Sequence, residues 1–261
     1  MNYKKIFTVL SVMLLLLSSF ALLKKQKPVL YIIGDSTVRN GDGTGKGQQW
    51  GWGSFLADDF DTTKISVQNH AIGGRSSRTF ITEGRWDKIL QTLKKGDYVI
   101  MQFGHNDASP LDDTARARGT IRGIGYDSVE IYNPIRKVKE MVYTYGWYMR
   151  KYVKETKVKG ATPIICSLVP RNNWKEGKLT RSSDSYALWA MQIAEQEGAY
   201  FIDLNELVAA EYEKLGEGKV KTFFPADHTH TNKDGAKLNA GIVVNAVKLI
   251  KPGKLAKYLR R

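Results

Sequence analysis

The 261 residues carry 40 Lys or Arg against 26 Asp or Glu, a formal charge of +14 at pH 7. A surface this basic draws polyanions such as nucleic acid, anionic lipid or acidic polysaccharide, although lysines scattered singly along helices also suit a plain solvated face. The sole cysteine, Cys166, excludes an internal disulfide, and its place in the apolar run Ile164 to Leu168 marks a buried structural thiol.

Taken in order, residues 1 to about 21 read as a secretory signal. Lys4 and Lys5 lead an apolar stretch, Ile6 to Leu17, that is short for a membrane span, and Ser19-Phe20-Ala21 forms a small-x-small cleavage site. No cysteine follows to carry a lipid, so the expected location is periplasmic or extracellular, with no stable membrane insertion after cleavage. Without the two lysines the charge is about +12, and an exported protein meets uronate-containing polysaccharide more readily than nucleic acid.

The remaining chain, over 28–261, shows no Pro/Ser-rich linker, low-complexity run or internal repeat and is expected to be one α/β domain. A first strand at about 28–33 ends at Gly34-Asp35-Ser36, and a Gly-rich loop, 41–53, leads to a short helix from about Ser54. A second strand, Ile65 to Asn69, runs into His70-Ala71-Ile72-Gly73-Gly74-Arg75-Ser76. Arg85 to Leu93 reads as helix with Gly96 as its stop, and Asp97 to Phe103 as a third strand closed by Gly104-His105-Asn106-Asp107. The polar segment 108–126 reads as a surface insertion.

Ile135, Val138, Val142, Tyr145, Met149, Tyr152 and Val153 recur at three- and four-residue steps and predict one helix of five turns. A fourth strand follows over Pro163 to Leu168, then a helix capped by Asp184, a fifth strand over Tyr200 to Asp203, a helix opened by Asn205, and a last helix from about Lys233 to Ile250, closed by Pro252-Gly253. Strands separated by single helices, each a short apolar run, imply a five-stranded parallel sheet inside a three-layer α/β/α sandwich. In a flavodoxin-like order, 2-1-3-4-5, the loops after the first three strands converge at the switch point.

Those loops carry Ser36, Gly73-Gly74 and Asn106. A serine nucleophile needs a neutral imidazole within hydrogen-bond reach and a carboxylate to fix its tautomer. The segment Asp227-His228-Thr229-His230 supplies both, and in a turn residues three apart bring Asp227 to the ring of His230. Asp227, His228 and His230 could instead hold a metal, but no further carboxylate–His cluster completes such a site. An oxyanion wants preorganised donors, which the Gly73-Gly74 backbone, the Asn106 amide and the Ser36 N–H can provide. Each feature alone has a structural explanation as a turn or a cap; together, in the order Ser, Gly, Asn, Asp-x-x-His, they form an ester-hydrolysing set.

These blocks resemble those of the SGNH (GDSL-like) hydrolases. Trp50-Gly51-Trp52-Gly53, Ala71 to Arg78, Glu83-Gly84-Arg85 and Asp227 to Thr231 extend the resemblance to the rhamnogalacturonan acetylesterases of that superfamily, over roughly 28–250. The resemblance implies Ser36 as nucleophile, His230 as general base and then acid, and Asp227 as its orienter. It implies an oxyanion hole from the N–H groups of Ser36 and Gly74 and the side chain of Asn106. No metal or organic cofactor is required. The implied substrate is an acetylated acidic polysaccharide, with Arg116, Arg118 or Arg122 as candidate contacts for a uronate. The other readings are an acetylxylan esterase, a lipase or thioesterase of the same superfamily, and a non-catalytic polysaccharide-binding protein.

Overall fold

The computed structural model describes residues 26–250 and 254–260. The signal-peptide reading and the Pro252-Gly253 closure lie outside them. Strand β1 (Val29–Gly34) is flanked by β2 (Ser66–Asn69) and β3 (Tyr98–Gln102), and β6 (Thr162–Cys166) and β9 (Tyr200–Ile202) complete a five-stranded sheet. The order is β2-β1-β3-β6-β9 with every pairing parallel, the topology read from the sequence.

Apolar runs without alternation are what a sheet covered on both faces needs, because successive side chains point to opposite sides. Leu30, Ile32, Ile100, Ile164 and Cys166 pack with α5 (Leu204–Leu215), α6 (Glu217–Lys221) and α7 (Lys233–Leu249) on one face. Tyr31, Ile33, Val99, Met101 and Ile165 pack on the other with α1 (Ser77–Thr82), α2 (Arg85–Thr92), α3 (Tyr145–Val158) and α4 (Tyr186–Gln196). Each fully buried aliphatic side chain in these layers contributes about 1.5–3 kcal/mol relative to exposure. Burial pushes the Cys166 thiol well up, consistent with an inert core residue.

The five-turn helix expected from Ile135 to Val153 is corrected. Its first half is an antiparallel hairpin, β4 (Ser128–Asn133) and β5 (Val138–Tyr143), and only α3 is helical. Asn133 accepts hydrogen bonds from the backbone of Ile135 and Arg136, both at 3.0 Å, and Lys137 takes a left-handed φ of 55°, so the chain reverses there. Pro134 sits inside that turn, and Thr144 caps α3 by accepting from Trp147 N. The stripe was misleading because the inward face of β5 is Glu140 and Val142, whereas Ile135 and Val138 are exposed.

Smaller corrections are local. The helix from Ser54 is two 3-10 turns, Trp52–Ser54 and Leu56–Asp59. Asp184 lies outside α4, whose N-cap is Ser185, and Asp203 caps α5 in place of Asn205. Asn205 is buried and ties two loops instead, accepting from Ser182 N and donating to the Leu168 carbonyl. A short hairpin, β7 (Trp174–Lys175) with β8 (Lys178–Leu179), was not expected.

Candidate active site

At the end of β1 the backbone runs so close to β3 that a Cβ on Gly34 would sit 2.6 Å from the Gln102 carbonyl oxygen. The buried Asp35 then folds the turn: its carboxylate accepts from Thr37 N at 2.9 Å and from the Thr37 hydroxyl at 2.7 Å. Gln102 donates to Thr37 Oγ1 at 2.6 Å and accepts from Trp52 Nε1 at 2.9 Å, fixing the turn from below. Ser36 is thereby held above a rigid floor.

The partner comes from the far end of the chain. Asp227 Oδ1 accepts from the backbone N–H of both Thr229 and His230, each at 2.7 Å, which closes the turn Asp-x-x-His spacing implies. His230 Nδ1 then lies 2.7 Å from Asp227 Oδ2, and His230 Nε2 lies 2.8 Å from Ser36 Oγ. Burial acts to raise the Asp227 pKa, but the hydrogen bonds from His230 and Thr229 prevail and leave it below the usual carboxylate value. An ionised Asp227 accepts a hydrogen bond from Nδ1–H, so Nε2 is free to accept from the Ser36 hydroxyl. Trp50 pairs with Thr231 through Trp50 N to Thr231 O at 2.7 Å, and Asn232 caps α7 immediately after, so the loop is clamped on both sides. His228 is exposed and is tied in through its backbone carbonyl, which accepts from Asn172 N.

Gly74 occupies a left-handed φ of 79°, where its N–H and that of Ser36 engage no protein acceptor among the described residues. Arg75 Nη1 donates to the Gly73 carbonyl at 3.0 Å, and a trans peptide then turns the Gly74 N–H the opposite way. Asn106 gives one amide hydrogen to the Arg75 carbonyl at 2.8 Å and retains the other. Next to it, the fully buried Asp107 accepts from Ser77 N at 3.1 Å and from its hydroxyl. The structure thus gathers Ser36, Gly74, Asn106, Asp227 and His230 at one end of the sheet. A hydroxyl on an oriented imidazole beside unengaged N–H donors is the arrangement that acyl transfer uses.

A model of the GDSL-like lipase/acylhydrolase family matches residues 32–238. The chain is 34% identical over 84% of its length to a rhamnogalacturonan acetylesterase of Emericella nidulans, of which it covers 84%. It is 26% identical over 85% of its length to the rhamnogalacturonan acetylesterase RhgT of Bacillus subtilis, covering 90% of that protein. The crystal structure of the Bacillus subtilis protein YxiM superposes with a TM-score of 0.68 at 27% identity, over 86% of this chain and 57% of that longer one. The chain belongs to the GDSL-like lipase/acylhydrolase family.

Around Ser36 this GDSL-like hydrolase opens a cleft of about 730 Å³. Arg75, Arg116, Arg118 and Arg171 line it; Arg75 is paired with Glu83 at 3.0 Å, and the other three have no carboxylate partner among the described residues. Arg118 donates to the Gly74 carbonyl at 3.2 Å and to Ser109 Oγ at 3.0 Å, so the 108–126 insertion folds onto the Gly74 loop. Of the candidate uronate contacts, Arg116 and Arg118 face this cleft, and Arg122 lines a neighbouring cavity.

Sequence reasoning gave no role to Gln49, Arg78 or Arg171. Gln49 donates to Asp227 Oδ2 at 3.1 Å, a second restraint on the carboxylate. Arg78 is wholly buried and joins the insertion, through the Leu111 and Gly119 carbonyls, to Glu140 of the hairpin at 2.7 Å. Its position within the Ala71 to Arg78 block was the available signal; the block's spacing alone does not say that a charge is buried.

Proposed function

We propose that this GDSL-like hydrolase is a serine carbohydrate esterase that removes acetyl groups from an acidic polysaccharide, rhamnogalacturonan being the substrate named for its curated relatives. The observation that carries the reading is the hydrogen-bonded series Ser36–His230–Asp227 at the floor of an arginine-lined cleft. Ser36 Oγ attacks the acetyl carbonyl while His230 Nε2 takes its proton. The oxyanion is met by the N–H groups of Ser36 and Gly74 and by the second amide hydrogen of Asn106. On collapse His230 returns the proton to the departing sugar oxygen, and water cleaves the acetyl-enzyme by the same route, releasing acetate. Asp227 holds the ring and stabilises its charged form.

The only apolar side chains lining the cleft, among the described residues, are Ala115 and Ile135. That lining suits a small acetyl group and polar sugars, and it offers no groove for a long acyl chain as a lipase or thioesterase needs. The basic start, apolar core and small-x-small site of residues 1–21 support export to the periplasm or outside the cell, where such a polymer is met. No helix among the described residues is long and apolar enough to cross a membrane.

The test is acetate release from a panel of acetylated polysaccharides by the wild type and by Ser36→Ala. Rhamnogalacturonan is expected to be the best substrate, and Ser36→Ala to lose at least about 10⁴-fold in turnover with an unchanged melting temperature. Substantial activity in the serine variant would overturn the assignment of the nucleophile. A best substrate without uronate would overturn the choice of polymer.

A further inference from the structure

Beside the active cleft lies a second cavity of about 250 Å³, and the two share His105 and Arg171 in their walls. It is large enough for one sugar ring, and no step of the acyl transfer uses it. Arg122 and Arg171 line it, with Asn173, Thr180, Ser182, Ser185 and Tyr186, and no carboxylate stands among the lining side chains. Neither arginine has an ion-pair partner among the described residues.

Three features make this a built site. The Arg122 guanidinium lies 5.4 Å from the centroid of the Trp189 ring, which holds its planar fork in place without neutralising it. The wall carrying Asn173 and Thr180 is fixed by a hydrogen bond from Thr180 N to the Asn173 carbonyl at 2.8 Å and by the β7–β8 hairpin. Arg181 anchors that wall to α5 through Glu206 at 2.8 Å and through Glu213. Third, Tyr186 closes the inner wall and is itself only 5% exposed.

We infer that this second cavity is a subsite for a further uronate of the same polymer strand, with Arg122 and Arg171 on its carboxylate and the hydroxyl and amide side chains on its ring oxygens. Two unpaired guanidinium groups select a carboxylate, and the surrounding Ser, Thr and Asn groups match the dense hydroxyls of a hexuronate. Arg171 stands in both walls, so it bridges the two sugars and sets the direction in which the polymer crosses Ser36. The inference rests on the polysaccharide esterase reading above.

The experiment compares kcat and KM for acetate release from an acetylated, hexuronate-containing oligosaccharide and from the same oligosaccharide with its carboxylates methyl-esterified. Each protein's turnover of p-nitrophenyl acetate serves as its own reference for an intact ester site. The wild type should prefer the free acid by about tenfold or more in kcat/KM, mostly through KM, because the subsite binds ground state and transition state alike. Arg122→Gln should lose most of that preference, and Arg122→Lys, which keeps charge without the planar fork, should keep part of it. A preference that survives Arg122→Gln overturns the inference. So does a wild type that releases acetate equally from both substrates, a result independent of whether any variant folds. Release from neither substrate would instead count against the esterase reading itself.

Discussion

Ser36, Gly74, Asn106 and His230 each lie within four positions of a strand end or a helix cap, whereas Arg116, Arg118 and Arg171 project from irregular segments. The first group is held by short backbone hydrogen bonds within its own turns, such as the pair Asp227 accepts from Thr229 and His230. The second depends on contacts made across the fold, such as Arg118 to Gly74 and Arg78 to Glu140. Reaction chemistry demands sub-ångström placement and is therefore fixed locally; recognition of a long polymer tolerates side chains on longer tethers. Damage to the first group should appear in kcat for every ester, and damage to the second in KM for the polymer or in stability.

The sharpest way to break this division is Asp227→Asn. The amide nitrogen would donate to Nδ1 and leave the ring proton on Nε2, so the imidazole presents the wrong tautomer to Ser36, and kcat should fall by about 10⁴-fold on acetylated glycan and p-nitrophenyl acetate alike. A loss confined to the glycan would contradict the local reading. Asn106→Ala removes one of the proposed oxyanion donors and should reduce kcat by about 10²–10³-fold with KM little altered, as steady-state kinetics on both substrates will show.

On the recognition side, Glu140→Ala leaves the Arg78 guanidinium uncompensated at full burial, with one of its nitrogens already lacking a partner. Loss of about 3 kcal/mol or more is expected in urea unfolding, because the charge stays buried alone. A shift below about 0.5 kcal/mol would show that the insertion is not held by this pair.

The smallest effect concerns Asp107, which holds the N-terminus of α1 beside Asn106. Burial raises its pKa from 3.8 to about 7, partly offset by the hydrogen bonds from Ser77. A folded-state pKa above the unfolded one means the native chain retains this proton between roughly pH 4 and 7, so the group favours folding at acid pH and that advantage fades as pH rises through about 7. Melting the wild type and Asp107→Asn from roughly pH 4 to 8 should therefore give a difference that shifts against the wild type as pH increases. Parallel curves would refute the buried, proton-retaining carboxylate.

His105, two residues earlier, behaves oppositely. Burial holds its pKa down to about 4, so the folded chain keeps it neutral and stability is lost as pH falls from the ordinary histidine range toward that value.

The strand order was legible because buried parallel strands write themselves as apolar runs, and the site was legible because turn geometry ties spacing to position: Asp227 and His230 meet through a three-residue turn. The hairpin at 128–143 was not, since Val138 and Val142 fit a helical step as well as a strand's alternation, and the decisive facts, the Asn133 turn and the burial of Glu140, are tertiary. Arg171 and the second cavity were invisible for the same reason. Exposed arginines carry no periodicity, and only the folded chain shows which of them share a wall.

The Ser36–His230 hydrogen bond joins positions 194 residues apart. A contact that distant forms only after the intervening loops have closed, so it is among the slowest to assemble. No N-terminal stretch shorter than 230 residues holds both groups. On the proposed Ser36–His230 mechanism, hydrolytic competence is a completion signal: a chain still emerging is chemically silent, and the onset of p-nitrophenyl acetate turnover during refolding times the closure of the loop ahead of α7 onto Ser36.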